Sequence, residues 1–412
     1  MKGVIKFNGN TPVLGDFPPS HDNIIVVMPN QDQIIAKDYE SVKDSVIYSN
    51  LVGHYFLKSA LQGKALEEHT VIKGTHLYNY TFSREYEAVS HLDLFSGNER
   101  LVSPKRILGA EDIKYSFGLE YETACGMIPE HLCFRDGLIP LRDGSITGVE
   151  YSSIVLKKEK GINLILQELE TLAQYTEFNK ECALHMHLGG YPVRGSFVLT
   201  LYSLLCLLQN DFKRHCNEWI YSTAQYKNSR KDYCKKLPNF DSFRELYEYF
   251  VGLKWANTLR KPHPNDVDRT HKWNINTRYY SVNFINMLCY ESPKTIEFRF
   301  LRPTFNFTKV YTWLLTFNAI LKTAEDWTTK YGALGISPAA RVCCKELNIP
   351  SYDMIRCEDI VKYALQKDVS DAVVECLNKI EISSRQQKAI GDFIGLNTSY
   401  EDKLLDPNIY IL

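Results

Sequence analysis

The 412-residue chain contains no CxxC pair, no GxxxxGK[ST] loop and no GxGxxG. The first absence argues against a zinc ribbon or a thioredoxin-type redox pair. The second removes one way of holding a nucleotide's phosphates, and the third weakens a dinucleotide reading. Net charge is also nearly absent: 48 Lys and Arg stand against 49 Asp and Glu, a formal charge of -1. Bulk electrostatics therefore offers no attraction for nucleic acid or an acidic membrane. Apolar runs are broken by polar residues before they reach the ~18 positions of a membrane helix, and the opening Met1-Lys2-Gly3-Val4-Ile5-Lys6 has no long secretory apolar core. Eleven cysteines, an odd number, are spread along the chain with Cys343 and Cys344 adjacent, which is not a disulfide framework. The expectation is a cytoplasmic protein with reduced thiols and neither a nucleic-acid nor a membrane partner. Nothing in the pattern signals an oligomeric state.

What is present is an ordinary globular composition: 44% hydrophobic, 12% aromatic and 24% charged residues. The length exceeds what one core usually serves. Three regions are expected: an N-terminal α+β unit or extension over 1–110, a central core over 111–320 with a polar lid or insertion at 221–270, and a helical region over 321–412. In the first, Asn23–Met28 reads as a strand, Ser41–Leu66 as a helix interrupted by Gly53, and Thr75–Phe82 as a strand. In the second, strands are expected over Lys114–Thr123 and Ala183–Leu188, with helices over Gly161–Glu177 and Arg194–Gln209. Short segments flank the turn at Asp143-Gly144. The third region shows helical spacing over Tyr311–Trp327, Ile355–Leu365, Val369–Leu377 and Arg385–Ile394, and reads as a cap over apolar surface. The alternation favours an α/β or α+β layered architecture.

Three polar pairs share one spacing. On a strand, side chains at i and i+2 point the same way. His185 and His187 would then project together with Leu184, Met186 and Leu188 behind them, as would Glu120 with Glu122 and Glu297 with Arg299. A half-solvated sheet explains any one pair, and two histidines in an apolar run, taken alone, read as core residues before metal ligands. Two same-face carboxylates repel, however, unless cations or positive side chains compensate, and oxygen-rich divalent-metal sites need such clustering. With Asp143 and Glu150 added, the inventory is an acidic pocket rimmed by imidazole and guanidinium. It suits magnesium-dependent ATP chemistry, in which arginines offset charge on a transferring phosphoryl group.

Five segments in order, Phe117-Gly-Leu-Glu-Tyr-Glu122, Asp143-Gly-Ser-Ile-Thr-Gly-Val-Glu150, His185-Met-His-Leu-Gly189, Arg278-Tyr-Tyr-Ser-Val-Asn283 and Thr295-Ile-Glu-Phe-Arg299, resemble the amidoligase family. That family is a branch of the carboxylate-amine ligases that include glutamine synthetase and glutamate-cysteine ligase. The resemblance implies an α+β, glutamine synthetase-like core: a curved, mostly antiparallel sheet backed by helices, holding ATP and two or three Mg2+ or Mn2+ ions. On the matching positions it implies metal ligands at Glu120, Glu122, Glu150, His187 and Glu297. It implies that Arg278, Arg299 and Asn283 meet nucleotide, phosphate or acyl substrate, and that Asp143 and His185 assist. Where the family commonly has Ser-Pro after the second glutamate, this chain has Glu150-Tyr-Ser-Ser. The implied activity joins a carboxylate and an amine, on small molecules or on peptides and proteins, through an acyl phosphate. Phosphoryl transfer to a guanidino group and a noncatalytic nucleotide-binding or assembly role are the alternatives.

Overall fold

The computed structural model describes five short strands between residues 4 and 57, then most of the chain over 105–390 and 405–412. Segments 58–104, 129–135, 142–145, 217–233, 252–279, 289–294 and 391–404, the connections between the first five strands, and a few single positions lie outside the described residues. So do the side chains before residue 105 and at 383–390. Asp143, Arg278, the expected strand over Thr75–Phe82 and much of the expected lid at 221–270 are thus not described. The chain divides into two compact units, Met1–Lys105 with Gly118–Cys182, and Arg106–Phe117 with Ala183–Leu412.

In the first unit, β1 (Val4–Ile5), β2 (Ile24–Val27) and β3 (Gln33–Ala36) form an antiparallel sheet in that order. The expected helix over Ser41–Leu66 is instead the antiparallel pair β4 (Val46–Ser49) and β5 (His54–Leu57). Val-Ile-Tyr and His-Tyr-Phe are β-branched or aromatic runs, and Gly53 between them favours a turn over helix continuation.

Further along the same unit, β6 (Ser116–Glu122) pairs antiparallel with β9 (Glu150–Ser153), which pairs in turn with β8 (Leu138–Leu141). Helix α1 (Lys158–Tyr175) follows, and the short strands β7 (Cys125–Gly126) and β10 (Thr176–Glu177) pair beside it. Tyr121 points away from its neighbours Glu120 and Glu122 along the strand. Its buried hydroxyl donates to Glu168 Oε2 of α1 at 2.8 Å. Asp136 ties α1 to the approach to β8, accepting from Gln167 Nε2 at 2.5 Å and from the Thr171 hydroxyl. Where β9 begins, Thr123 and Val149 exchange side-chain and backbone bonds. The chain comes so close here that a Cβ on Gly148 would lie 2.1 Å from the Thr123 carbonyl oxygen.

The second unit is built on β11 (Leu184–Gly189), β12 (Val282–Asn283) and β13 (Ile296–Leu301), with β13 antiparallel to both others. Its helices are α2 (Gly195–Cys216), α3 (Phe243–Val251), α4 (Ile285–Leu288), α5 (Phe307–Tyr331), α6 (Ile336–Glu346), α7 (Cys357–Ala364) and α8 (Lys367–Ile390). The apolar face of β13 makes the core: Phe298 stacks on Phe317 of α5 with ring centroids 3.7 Å apart, and Phe300 meets Phe212 of α2 at 4.8 Å and Trp313 at 6.0 Å. Each such buried aromatic contributes about 1.5–3 kcal/mol by burial. Asn306 caps α5 by accepting the Lys309 N–H at 3.0 Å.

The segment 405–412 closes this unit. Ile107 bridges Ile411, Leu108 N–H donates to the Tyr410 carbonyl at 2.8 Å, and Leu412 N–H donates to the Arg106 carbonyl at 2.9 Å. The Tyr410 ring stands edge-on to Tyr311, with its hydroxyl 2.8 Å from that of Thr312.

The architecture is α+β, but the expected curved, glutamine synthetase-like sheet is not found: the antiparallel sheets are small, and none is closed or strongly curled. Strong curvature needs long strands bent by repeated irregularities. Here β8 and β9 span four residues each and β12 two, and the β11–β13 register shifts only once. Among the described residues, no helix is long and apolar enough to cross a membrane.

Candidate functional site

The polar face of β13 is opposite its aromatic one. With Ile296, Phe298 and Phe300 committed to the core, alternation carries Glu297 and Arg299 to the other side. His187 of β11 and Asn283 of β12 are the direct cross-strand partners of Glu297, one on each flank. Glu297 is only 4% exposed, and both of its oxygens are engaged. Asn283 Nδ2 donates to Oε2 at 2.8 Å, Arg299 Nη1 donates to Oε1, and His185 Nδ1 stands 3.6 Å from Oε1.

Local structure holds these groups in place. Asn283 Oδ1 accepts the Ile285 N–H at 2.9 Å at the start of α4, so its amide nitrogen is the end facing the carboxylate. Arg299 is held by its backbone, N–H to the Ser281 carbonyl at 3.0 Å and carbonyl from the Cys234 thiol at 3.3 Å. Between the Leu184–Leu301 and Met186–Phe298 pairs, β13 carries one residue more than β11. Such a bulge re-aims side chains locally, and here it sets Arg299 and Phe300 against His185.

His187 is half-buried, with Nδ1 3.4 Å from Thr295 Oγ1. Leu184, Met186 and Leu188 are buried behind the two histidines. The glycines that follow end the strand: Gly190 takes φ +82°, a conformation glycine adopts without strain.

In the first unit, Glu120 faces Ser152 across β6–β9, and Glu122 faces Glu150. The last two are buried, at 5% and 1% exposure. Like charges opposite each other on a ladder destabilise it, so this pair calls for a compensating cation, proton or positive side chain. The same unit holds Glu168, whose carboxyl sits well above the usual carboxylate range, first through burial and then through Asp136, with the Tyr121 hydroxyl opposing.

Among the described residues, two clusters of His and Glu side chains can hold a metal ion, one built around His185 and Glu297, the other formed by His215, Glu358 and Glu381. The second was not legible in the sequence. Its members come from three helices and share no local spacing, in a region whose periodicity reads only as apolar packing. Comparison with protein-family models, with curated proteins and with solved structures gives no match for this chain.

Proposed function

We propose that this protein is a metal-dependent enzyme, and that it joins a carboxylate to an amine at the expense of ATP. The observation that carries the reading is the environment of Glu297. A buried carboxylate between His187 and Asn283, beside His185 and gripped by Arg299, brings together metal-binding and anion-binding groups from three neighbouring strands. Carboxylate and imidazole donors suit magnesium or manganese, and the five segments that resemble amidoligases in order suggest the reaction. A bound divalent ion would neutralise phosphate charge.

In that reaction the acid substrate's carboxylate attacks the terminal phosphorus of ATP, giving an acyl phosphate and ADP. The amine then attacks the acyl carbon, loses a proton, and phosphate leaves. In the second unit Glu297 and His187 would supply metal ligands, with His185 assisting beside Glu297; in the first, Glu120, Glu122 and Glu150 would do so. Arg299 now rests on Glu297. A cation taking Glu297 Oε1 would release the guanidinium to face a phosphate or acyl oxygen, a task its planar donor fork suits. The resemblance would add Arg278, Asn283 and Asp143 as groups that meet the substrate.

Calorimetric titration of ATP with and without magnesium or manganese tests the site. Binding should need the metal and weaken sharply in Glu297→Gln; equal affinities throughout would sink the reading. Incubation with ATP and pools of acids and amines, followed by mass spectrometry, should reveal a product lighter by one water than its two components. Transfer of labelled carboxylate oxygen to phosphate identifies ligation, whereas a phosphorylated guanidine would identify phosphoryl transfer.

A further inference from the structure

The C-terminal end of α2 carries Asp211 and His215 one turn apart. Glu358 lies in the first turn of α7 and Glu381 on α8. His215, Glu358 and Glu381 are 1%, 6% and 6% exposed, and one ligand atom from each lies within 4.8 Å of the others.

Two further observations point to a ligand. Neither carboxylate oxygen of Glu358 has a hydrogen-bond partner among the described residues, and buried carboxylates are ordinarily paired or bound to a cation. His215 Nδ1 lies 2.9 Å from the Asp211 backbone oxygen. A carbonyl only accepts, so Nδ1 bears the hydrogen and Nε2 the lone pair, the orientation that metal-ligating histidines take. The edge-on Trp313 ring, 5.8 Å away at 88°, packs against the imidazole.

Other charged groups nearby have separate work. Asp211 Oδ2 accepts the Cys357 N–H at 2.8 Å, capping α7, and Arg214 Nη1 stands 3.6 Å from Oδ1. Arg356, a partly exposed side chain, has Nη1 3.8 Å from Glu381 Oε2.

We propose that His215, Glu358 and Glu381 form a structural site for one divalent cation of the zinc class, joining α2 to α7 and α8. Imidazole with two carboxylates is a donor set zinc accepts. Its charge of two offsets the two glutamates and supplies a partner for the buried Glu358 carboxylate. The proposal does not depend on the ligase reading, since none of its residues belongs to that site.

The test uses the full chain and elemental zinc analysis after exhaustive dialysis, followed by zinc and cobalt titration of chelator-stripped protein. Glu297→Gln should take up one ion per chain and wild type at least that one, with a rise in melting temperature and a visible cobalt spectrum. Glu358→Gln and Glu381→Gln should weaken uptake by more than about tenfold. If those variants fail to fold, the titration of stripped Glu297→Gln decides: one ion bound with thermal stabilisation supports the site, and no uptake overturns it. Zinc retained undiminished in folded Glu358→Gln and Glu381→Gln, or lost only in Glu297→Gln, also overturns it.

Discussion

Asn283 and Glu297 sit directly opposite each other on β12 and β13, and the Asn283 amide donates to Glu297 Oε2 at 2.8 Å. Asn283→Asp keeps the acceptor used by Ile285 N–H but replaces the donor with a second carboxylate. We expect a loss of about 1–3 kcal/mol at neutral pH, measured by urea denaturation. The deficit should shrink on acidification, because one of two facing carboxylates then takes up a proton. An unchanged midpoint at neutral pH would remove the contact from the account of this site.

Glu168 yields a pH prediction from the first unit. Its folded carboxyl is raised above the ordinary value of 4.5, chiefly by burial. Such a group contributes stability that is fully present below its unfolded pKa and is lost as pH rises through its folded value. Glu168→Gln should therefore flatten the decline in stability as pH rises above the ordinary carboxylate range. Tyr121→Phe, which removes the donor favouring the ionised form, should steepen it. Urea midpoints measured over that rise in pH would show both, and parallel profiles for all three proteins would contradict the assignment.

Much of this arrangement was legible because strands announce themselves by alternation. The pairs Glu120/Glu122, His185/His187 and Glu297/Arg299 do lie on strands, β6, β11 and β13. The helices expected near 161–177, 194–209 and 311–327 are present as α1, α2 and α5. Alternation says nothing of curvature, which is why a strongly bent sheet could be expected and not found. Nor does it reveal a bulge: the extra β13 residue opposite His185 depends on pairing between strands. At 41–66 the apolar residues fit both helical and strand periods, and the β-branched and aromatic content around Gly53 favours strands. Asp211 capping α7 across 146 positions is likewise a tertiary event, with no trace in local spacing.

Within β11, core and site residues should separate experimentally. Leu188→Ala leaves a cavity beneath a fully buried position and should cost about 2–5 kcal/mol. His187→Ala, at a half-buried position, should cost less while lowering any metal-dependent ATP turnover. Thermal melts paired with phosphate-release assays provide the comparison. A His187→Ala protein as destabilised as Leu188→Ala, yet fully active per folded molecule, would make His187 a core residue.

Gly148→Ala should be poorly tolerated, since its Cβ would meet the Thr123 carbonyl carbon at 2.7 Å as well as its oxygen at 2.1 Å. The strain falls on backbone beside the Glu122–Glu150 pair, and we expect about 1–3 kcal/mol of destabilisation. Gly332→Ala is a useful contrast. Among the described residues nothing lies within 4 Å of its Cβ position, but its φ of +78° and ψ of -152° form a backbone that essentially only glycine adopts, so only that conformation is penalised, by about 1–3 kcal/mol. Equal stability of Gly148→Ala and wild type would show that the β6–β9 approach is looser than described.

The pairing of Ile107 with Ile411 and the seat of Tyr410 against Tyr311 impose an order on biosynthesis. Residues 106–117 emerge from the ribosome early and must wait for nearly the whole remaining chain before segment 405–412 can meet them. Until then the edge of Tyr311 and the backbone at Arg106 and Leu108 lack the partners they hold in the finished unit. Loop closure over such separations is slow, and incomplete chains with unmatched strand edges are prone to aggregate. Chains stalled before residue 405 should therefore remain protease-sensitive in the second unit and depend on chaperones, whereas chains in which residues 405–412 are free to pair should gain protection.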